Sequence, residues 1–163
     1  MNKKIFQIAI IILALDQISK VLINSFLKLG ESITLIPSFF NLTLCYNEGA
    51  AWGLFANNKI VIALGSLVAV IMIYHFIFCF KKNTRNNIAF GLVIGGMAGN
   101  LIDRVFFGYV RDFLDFYIFN YDFPVFNIAD TAIVIGIILL IYAVIKGEDL
   151  SENSSNRRKK TSL

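Results

Sequence analysis

The chain has 163 residues, 57% apolar and 16% charged, with 16 phenylalanines. Soluble domains carry about 25% charged residues, and the apolar residues here come in blocks, so membrane helices in one compact unit are expected and a water-soluble fold is not. The net charge of +4 is gathered in short clusters beside the apolar blocks, which reads as membrane topology and speaks against a nucleic-acid partner.

Four apolar runs, 5–23, 60–80, 88–107 and 128–145, each approach the roughly 20 residues that cross a bilayer as a helix. The predicted fold is an α-helical membrane protein with four transmembrane helices. Lys3 and Lys4 precede the first run, Lys81, Lys82 and Arg85 fill the second connection, and Lys146 with Arg157, Arg158, Lys159 and Lys160 follow the fourth. The positive-inside rule therefore puts both termini in the cytoplasm and residues 24–59 and 108–127 outside. The first run reads as an uncleaved helix, because Asp16, Gln17 and Lys20 follow its initial apolar stretch with no small-residue cleavage site. Residues 1–147 form one predicted domain, with an outer β-rich loop at 31–57. The polar, basic stretch 148–163 lacks periodicity and is expected to be a disordered cytoplasmic tail.

In the first span Asp16 and Lys20 lie one helical turn apart. Lys20 is expected to snorkel outward, leaving Asp16 as a buried scaffold group seeking partners on another helix. The first outer connection contains Ile33 to Ile36 and Phe39 to Tyr46, two β-branched and aromatic runs broken by Pro37-Ser38. They predict a small extracytoplasmic β-sheet. Asn47-Glu48-Gly49-Ala50-Ala51-Trp52-Gly53 reads as a tight, small-residue loop that lets backbone approach another group closely.

The second span is free of charge and carries His75 mid-span. Cys45 and Cys79 fall on opposite membrane faces, too far apart for a disulfide. All three are expected to pack, and no metal or other cofactor is implied. In the third span Gly91, Gly95 and Gly99 recur every four residues, the pattern of close helix packing. Asn100, Asp103 and Arg104 share one face near its outer end. Asp103 and Arg104 could neutralise one another or neighbours, and Arg104 could hold a carboxylate or a lipid phosphate.

Asp112 follows the third span and Asp130 opens the fourth, both at the outer interface. Two carboxylates sharing a site cannot both ionise cheaply, so one keeps a proton while the other activates water. Asp115 and Asp122 lie in the same connection, and an Asp at a helix start is often only a cap. Spacing alone leaves a catalytic pair, capping and ion pairing all open. A transporter relaying protons through Asp16, Asp103 and Asp130 is a rival, as is a scaffold built on the glycine face. Ionisable groups gathered at one membrane end disfavour the first, and the two Asp motifs are unexplained by the second.

Five motifs occur in order: Asp16-Gln17-Ile18-Ser19-Lys20, Asn47 to Gly53, Gly99-Asn100-Leu101-Ile102-Asp103-Arg104, Val110-Arg111-Asp112-Phe113 and Phe123 to Asp130. With four spans they resemble bacterial lipoprotein signal peptidase, signal peptidase II, over nearly the whole chain outside the tail. The resemblance implies an aspartic endopeptidase with Asp112 and Asp130 as its dyad, choosing Asp112 over Asp115. It implies that Asn47, Gly49, Asn100, Arg104 and Asn127 line or brace the substrate site, with Asp16 and Lys20 in support. The implied substrate is a diacylglyceryl prolipoprotein cleaved just before its lipidated cysteine, beside membrane lipids. Globomycin-type inhibition, no cofactor and a monomer are also implied. Arg111 stands where an apolar residue is more usual.

Overall fold

The computed structural model describes residues 2–49, 59–119 and 121–148. Four helices are long and apolar enough to cross a membrane, and the chain is a multi-pass membrane protein. They are α1 (Lys3–Phe26), α2 (Lys59–Phe76, prolonged by a 3-10 turn at Ile77–Cys79), α3 (Thr84–Phe106) and α4 (Ile128–Ile145). Asn2 and Asn83 start α1 and α3 by accepting the Lys4 and Asn86 N–H groups at 3.2 and 2.8 Å, as short polar caps do. Ile10, Ile11, Val68, Met72, Ile138 and Ile141 are each about half exposed. In a bilayer such apolar exposure faces lipid, since only closed backbone hydrogen bonding is required there.

Helix α3 is central, and its glycines explain why. A Cβ on Gly95 would stand 2.7 Å from the Ala9 carbonyl oxygen; one on Gly91 would stand 2.6 Å from Ile8, and Gly99 abuts Asp16. The paired positions rise together, so α1 runs parallel to α3. The adjacent Gly96 lies against Ala129 and Ile133, while Gly136 lies against Ala89 and Val93, so α4 runs antiparallel to α3. The glycine stripe packs as the sequence predicted, and Gly96 with Gly136 adds a second contact that the four-residue repeat did not include. At the end of the bundle where α1 begins, Ile5, Phe80, Phe90, Val93, Leu140 and Ala143 form the core cluster.

At the other end sits an antiparallel sheet of β1 (Ser32–Ile36), β2 (Phe40–Asn47), β3 (Val110–Ile118) and β4 (Tyr121–Asp122), in that order. The expected sheet is there, but the second outer connection supplies half its strands. Ser38 turns the first hairpin with φ 60° and Gly108 reverses the chain after α3 with φ 78°, a backbone region that favours glycine. The register of β2 against β3 slips between Leu42 and Cys45, a bulge of the kind that bends a strand locally. Phe126 pairs with Leu114 on β3 through reciprocal N–H to carbonyl bonds of 2.8 and 3.0 Å. That bridge brings the start of α4 beside β3, and with it Asp130 beside Asp112.

Three expectations change. His75 lies in the last turn of α2, and it is exposed on a stretch where Tyr74 and Phe76 are exposed as well. Cys45 and Cys79 are unpaired, as expected, but both are exposed, so the packing role fails for all three. Of the predicted Asn47 to Gly53 loop, residues 50–53 lie outside the described residues, as do residues 149–163 of the tail.

Candidate active site

Asp112 sits on β3 and is 2% exposed. Its Oδ1 accepts from Asn127 Nδ2 at 2.6 Å and its Oδ2 from Asn47 Nδ2 at 3.1 Å. Asp130 is the third residue of α4. Its Oδ1 accepts from Asn100 Nδ2 at 2.7 Å and its Oδ2 from the Asn127 backbone N–H at 3.3 Å. All four carboxyl oxygens thus receive an N–H from a neutral amide.

The amides are held in one orientation. Asn127 caps α4 by accepting the Asp130 N–H on Oδ1 at 2.9 Å, completing a reciprocal capping box with Asp130. Its Nδ2 is therefore left to donate, to Asp112 and to Asn100 Oδ1 at 3.2 Å. Asn100 Oδ1 also accepts from Lys20 Nζ at 2.9 Å, so Asn100 turns its own Nδ2 to Asp130. Asn47 Oδ1 accepts the Gly49 N–H at 3.1 Å, which points Asn47 Nδ2 at Asp112.

Beneath the amides lies a buried charge cluster. Lys20 does not snorkel: it is fully buried, with Nζ 2.9 Å from Asp16 Oδ2 and 3.3 Å from Asp103 Oδ2. Its partners on α1 and α3 hold it inside more strongly than water draws it out. Asp16 reaches across to α4 and accepts the Ala129 N–H at 3.0 Å, satisfying a helix-start donor that would otherwise be orphaned. Asp103 pairs with Arg111, not with Arg104. Arg111 grips it through NH2 at 2.6 Å, Nε at 3.2 Å and its backbone N–H at 3.0 Å. Two carboxylates and two cations balance, the condition for burying any of them.

Gln17 was quoted in the first motif without a role. Its Nε2 bridges Asp16, the Gly99 carbonyl and Asp103 at 3.1 to 3.2 Å, and its Oε1 accepts from Arg111 at 3.0 Å. A carboxamide in the middle of an apolar run was the available signal. Arg111 was visible as a departure, but only the fold shows what it holds.

Asp115 stands three residues beyond Asp112, an odd separation that puts it on the other face of the strand. There its Oδ2 accepts from Thr43 at 2.5 Å and Asn41 at 3.4 Å. The fold thus separates the two aspartates that spacing could not. Burial, and then the charge of Asp130, push the Asp112 carboxyl from 3.8 up to about 7, against the opposing pull of Asn47, Asn127 and Lys20. A cavity of about 550 Å³ opens beside the pair between α2, α3 and α4, with Asn100, Arg104 and Asp130 at its polar end and Met72, Met97 and Ile133 among its apolar walls. Arg104 is half-buried there, and its Nε has no hydrogen-bond partner among the described residues.

Residues 8–146 match the family model described as signal peptidase (SPase) II. The chain belongs to the signal peptidase II family. It is 39% identical to the lipoprotein signal peptidase of Staphylococcus aureus strain bovine RF122 / ET3-1, over 98% of each chain. The same enzyme from strain MRSA252 matches to the same extent. Among solved structures it is similar to a bacterial membrane enzyme determined by the in meso method at 2.3 Å, with TM-score 0.79, 39% identity and 87% of each chain covered. A second such structure at 1.9 Å aligns with TM-score 0.77. Membership of the signal peptidase II family makes the chain a membrane-bound hydrolase, a protease that processes lipoproteins. Asn47, Asn100 and Asn127 lie in the amide layer, where the Gly49 N–H supports Asn47, Asp16 and Lys20 lie in the charge cluster, Arg104 lies on the cavity wall, and Asp122 stands exposed on β4.

Proposed function

We propose that this protease is of the aspartic type and removes signal peptides from diacylglyceryl prolipoproteins, cutting just before the lipidated cysteine with Asp112 and Asp130 as its dyad. The observation that carries the reading is the amide layer, which seats both carboxylates in one site through Asn127. Asp112 retains a proton near neutrality and Asp130 is the base. Asp130 takes a proton from water as the water oxygen bonds to the scissile carbonyl carbon, while Asp112 gives its proton to the carbonyl oxygen. The tetrahedral diol then returns a proton to Asp112 as Asp130 protonates the leaving nitrogen and the C–N bond breaks. No covalent intermediate forms.

The site end of the bundle lies outside the cytoplasm and both termini inside, following the basic clusters. An acylated cysteine keeps its chains in the outer leaflet and its peptide bond at the interface, level with the dyad. Segments of the signal peptide lie in the cavity beside α2, with Arg104 offered to a backbone carbonyl or lipid phosphate. Residues 1–147 act as one unit and as a monomer, and globomycin-type cyclic peptides compete for the dyad.

The test is a gel-shift cleavage assay on a diacylglyceryl prolipoprotein. Wild type and Asp115→Asn should cleave, whereas Asp112→Asn and Asp130→Asn should not, although both remain folded. Full activity in either dyad variant would refute the assignment.

A further inference from the structure

A second cavity, of about 830 Å³, lies at the opposite end of the bundle from the carboxylate pair, where α1 and α3 begin and α2 ends. That volume falls in the range of about 300–1,000 Å³ typical of small-ligand sites. Its floor is apolar and closed: Ile5, Phe80 and Phe90 are 1 to 6% exposed. One wall is apolar and open, since Tyr74 and Phe78 are 40% and 61% exposed on the surface that α2 turns to lipid. The rim is cationic. Lys81 and Lys82 both line it and are exposed, and no acidic residue lines it among the described residues. The nearby Glu148 is engaged with Arg85, Asn83 and Asn86. Lys81 Nζ reaches the Gly147 carbonyl at 3.0 Å, a neutral partner that leaves its charge on the rim.

Asn86 supplies a further polarity. It is 2% exposed and lines the same cavity. Its Nδ2 is spent on the Lys81 carbonyl at 3.0 Å and on Glu148 at 3.2 Å. Its Oδ1 has no hydrogen-bond partner among the described residues, a costly state for a buried acceptor. The cavity thus combines a place for an anion, an acceptor wanting a donor, and an apolar slot open to the bilayer.

We propose that this cavity is a binding site for an anionic glycerophospholipid with a hydroxylated headgroup, phosphatidylglycerol being the fit. Its phosphate lies between Lys81 and Lys82, a headgroup hydroxyl serves Asn86 Oδ1, and an acyl chain follows Tyr74 and Phe78. Free phosphate would leave the apolar surfaces unused. A zwitterionic headgroup would bring an ammonium to the cationic rim. The site rests on the proposed topology only for its leaflet, the cytoplasmic one, where anionic lipid attracts basic flanks.

The experiment is native mass spectrometry of the full-length protein in detergent, titrated with phosphatidylglycerol, phosphatidylmethanol and phosphatidylcholine. Reactive-lysine labelling of the same samples locates the lipid. Phosphatidylglycerol should bind about tenfold more tightly than phosphatidylcholine, with phosphatidylmethanol, which has the charge without the hydroxyl, between them. It should protect Lys81 and Lys82 from labelling but not Lys28 at the other end. Lys82→Gln should weaken binding several-fold, and Lys81→Gln with Lys82→Gln about tenfold, with cleavage of prolipoprotein in detergent unchanged. Equal binding of all three lipids, no protection at Lys81 and Lys82, or displacement of the lipid by glycerol phosphate alone would overturn it. Wild-type cleavage in the same preparation is read separately, so failure of this site and failure of the protease reading are distinguishable.

Discussion

Asn127 donates from Nδ2 to Asp112 Oδ1 at 2.6 Å while its Oδ1 receives the N–H that starts α4. One side chain thus serves the helix and the carboxylate pair together, and the two duties can be separated. Asn127→Ser keeps a helix cap and loses the amide donor. It should leave thermal stability nearly unchanged and reduce the turnover number by about 10²-fold, the scale of a lost catalytic-site donor. Asn127→Ala should lose the same activity and also about 1 kcal/mol of stability. Turnover and thermal unfolding in detergent separate the two variants.

The Asp112 carboxyl, raised to about 7 by burial and the charge of Asp130, sets the alkaline side of the pH profile. Cleavage should fall as pH rises through about 7 and Asp112 loses its proton. The linkage has a definite sign. The folded value lies above the unfolded one, so the native state binds more protons between 3.8 and about 7, and stability falls across that window. Asp112→Asn cannot ionise, so its unfolding midpoint should exceed wild type by more at pH 8 than at pH 5. Identical pH dependence of unfolding in both proteins would show that Asp112 is not so perturbed.

The charge cluster predicts coupling. Arg111→Met leaves Asp103 with only Lys20 opposite it and should cost about 3 kcal/mol, the scale of a broken buried pair. Adding Asp103→Asn removes the uncompensated charge and should recover at least half of that loss. Denaturation of the two single variants and the double variant gives the coupling directly.

The glycines should separate by what surrounds them. A Cβ at Gly96 meets the Ala129 backbone and Ile133, and Ala129 adjoins Asp130. Gly96→Ala should cost about 1–3 kcal/mol by overpacking and lower activity with it. Gly65 on α2 has nothing within 4 Å, so Gly65→Ala should be neutral or stabilising by up to about 1 kcal/mol. Unfolding midpoints of the two variants give the contrast.

The four spans and the glycine stripe were legible because both are local patterns, set by hydropathy and by a four-residue repeat. Strand β3 was not, although Val110 to Ile118 is rich in β-branched and aromatic residues, because its pairing partner on β2 is distant in sequence. Lys20 misled for a related reason. Its exposure depends on Asp103 and Asn100, which no local rule connects to it. Asp103 sits beside Arg104 in sequence and still pairs with Arg111, because the Gly108 turn brings β3 back over the end of α3. The carboxylate pair and the asparagines around it were named by motif order, while the direction in which each amide faces followed only from the fold.

Asp16 and Lys20 belong to a helix made before α3 and α4, yet the groups that satisfy them lie on those later helices. Asp103 and Asn100 lie on α3, and the Ala129 N–H on α4. Until those arrive, α1 carries an Asp–Lys pair into the bilayer short of most of its hydrogen bonds. The charge cluster therefore cannot be complete until α4 is made, and α1 must hold its place until the helix that carries Asp130 arrives.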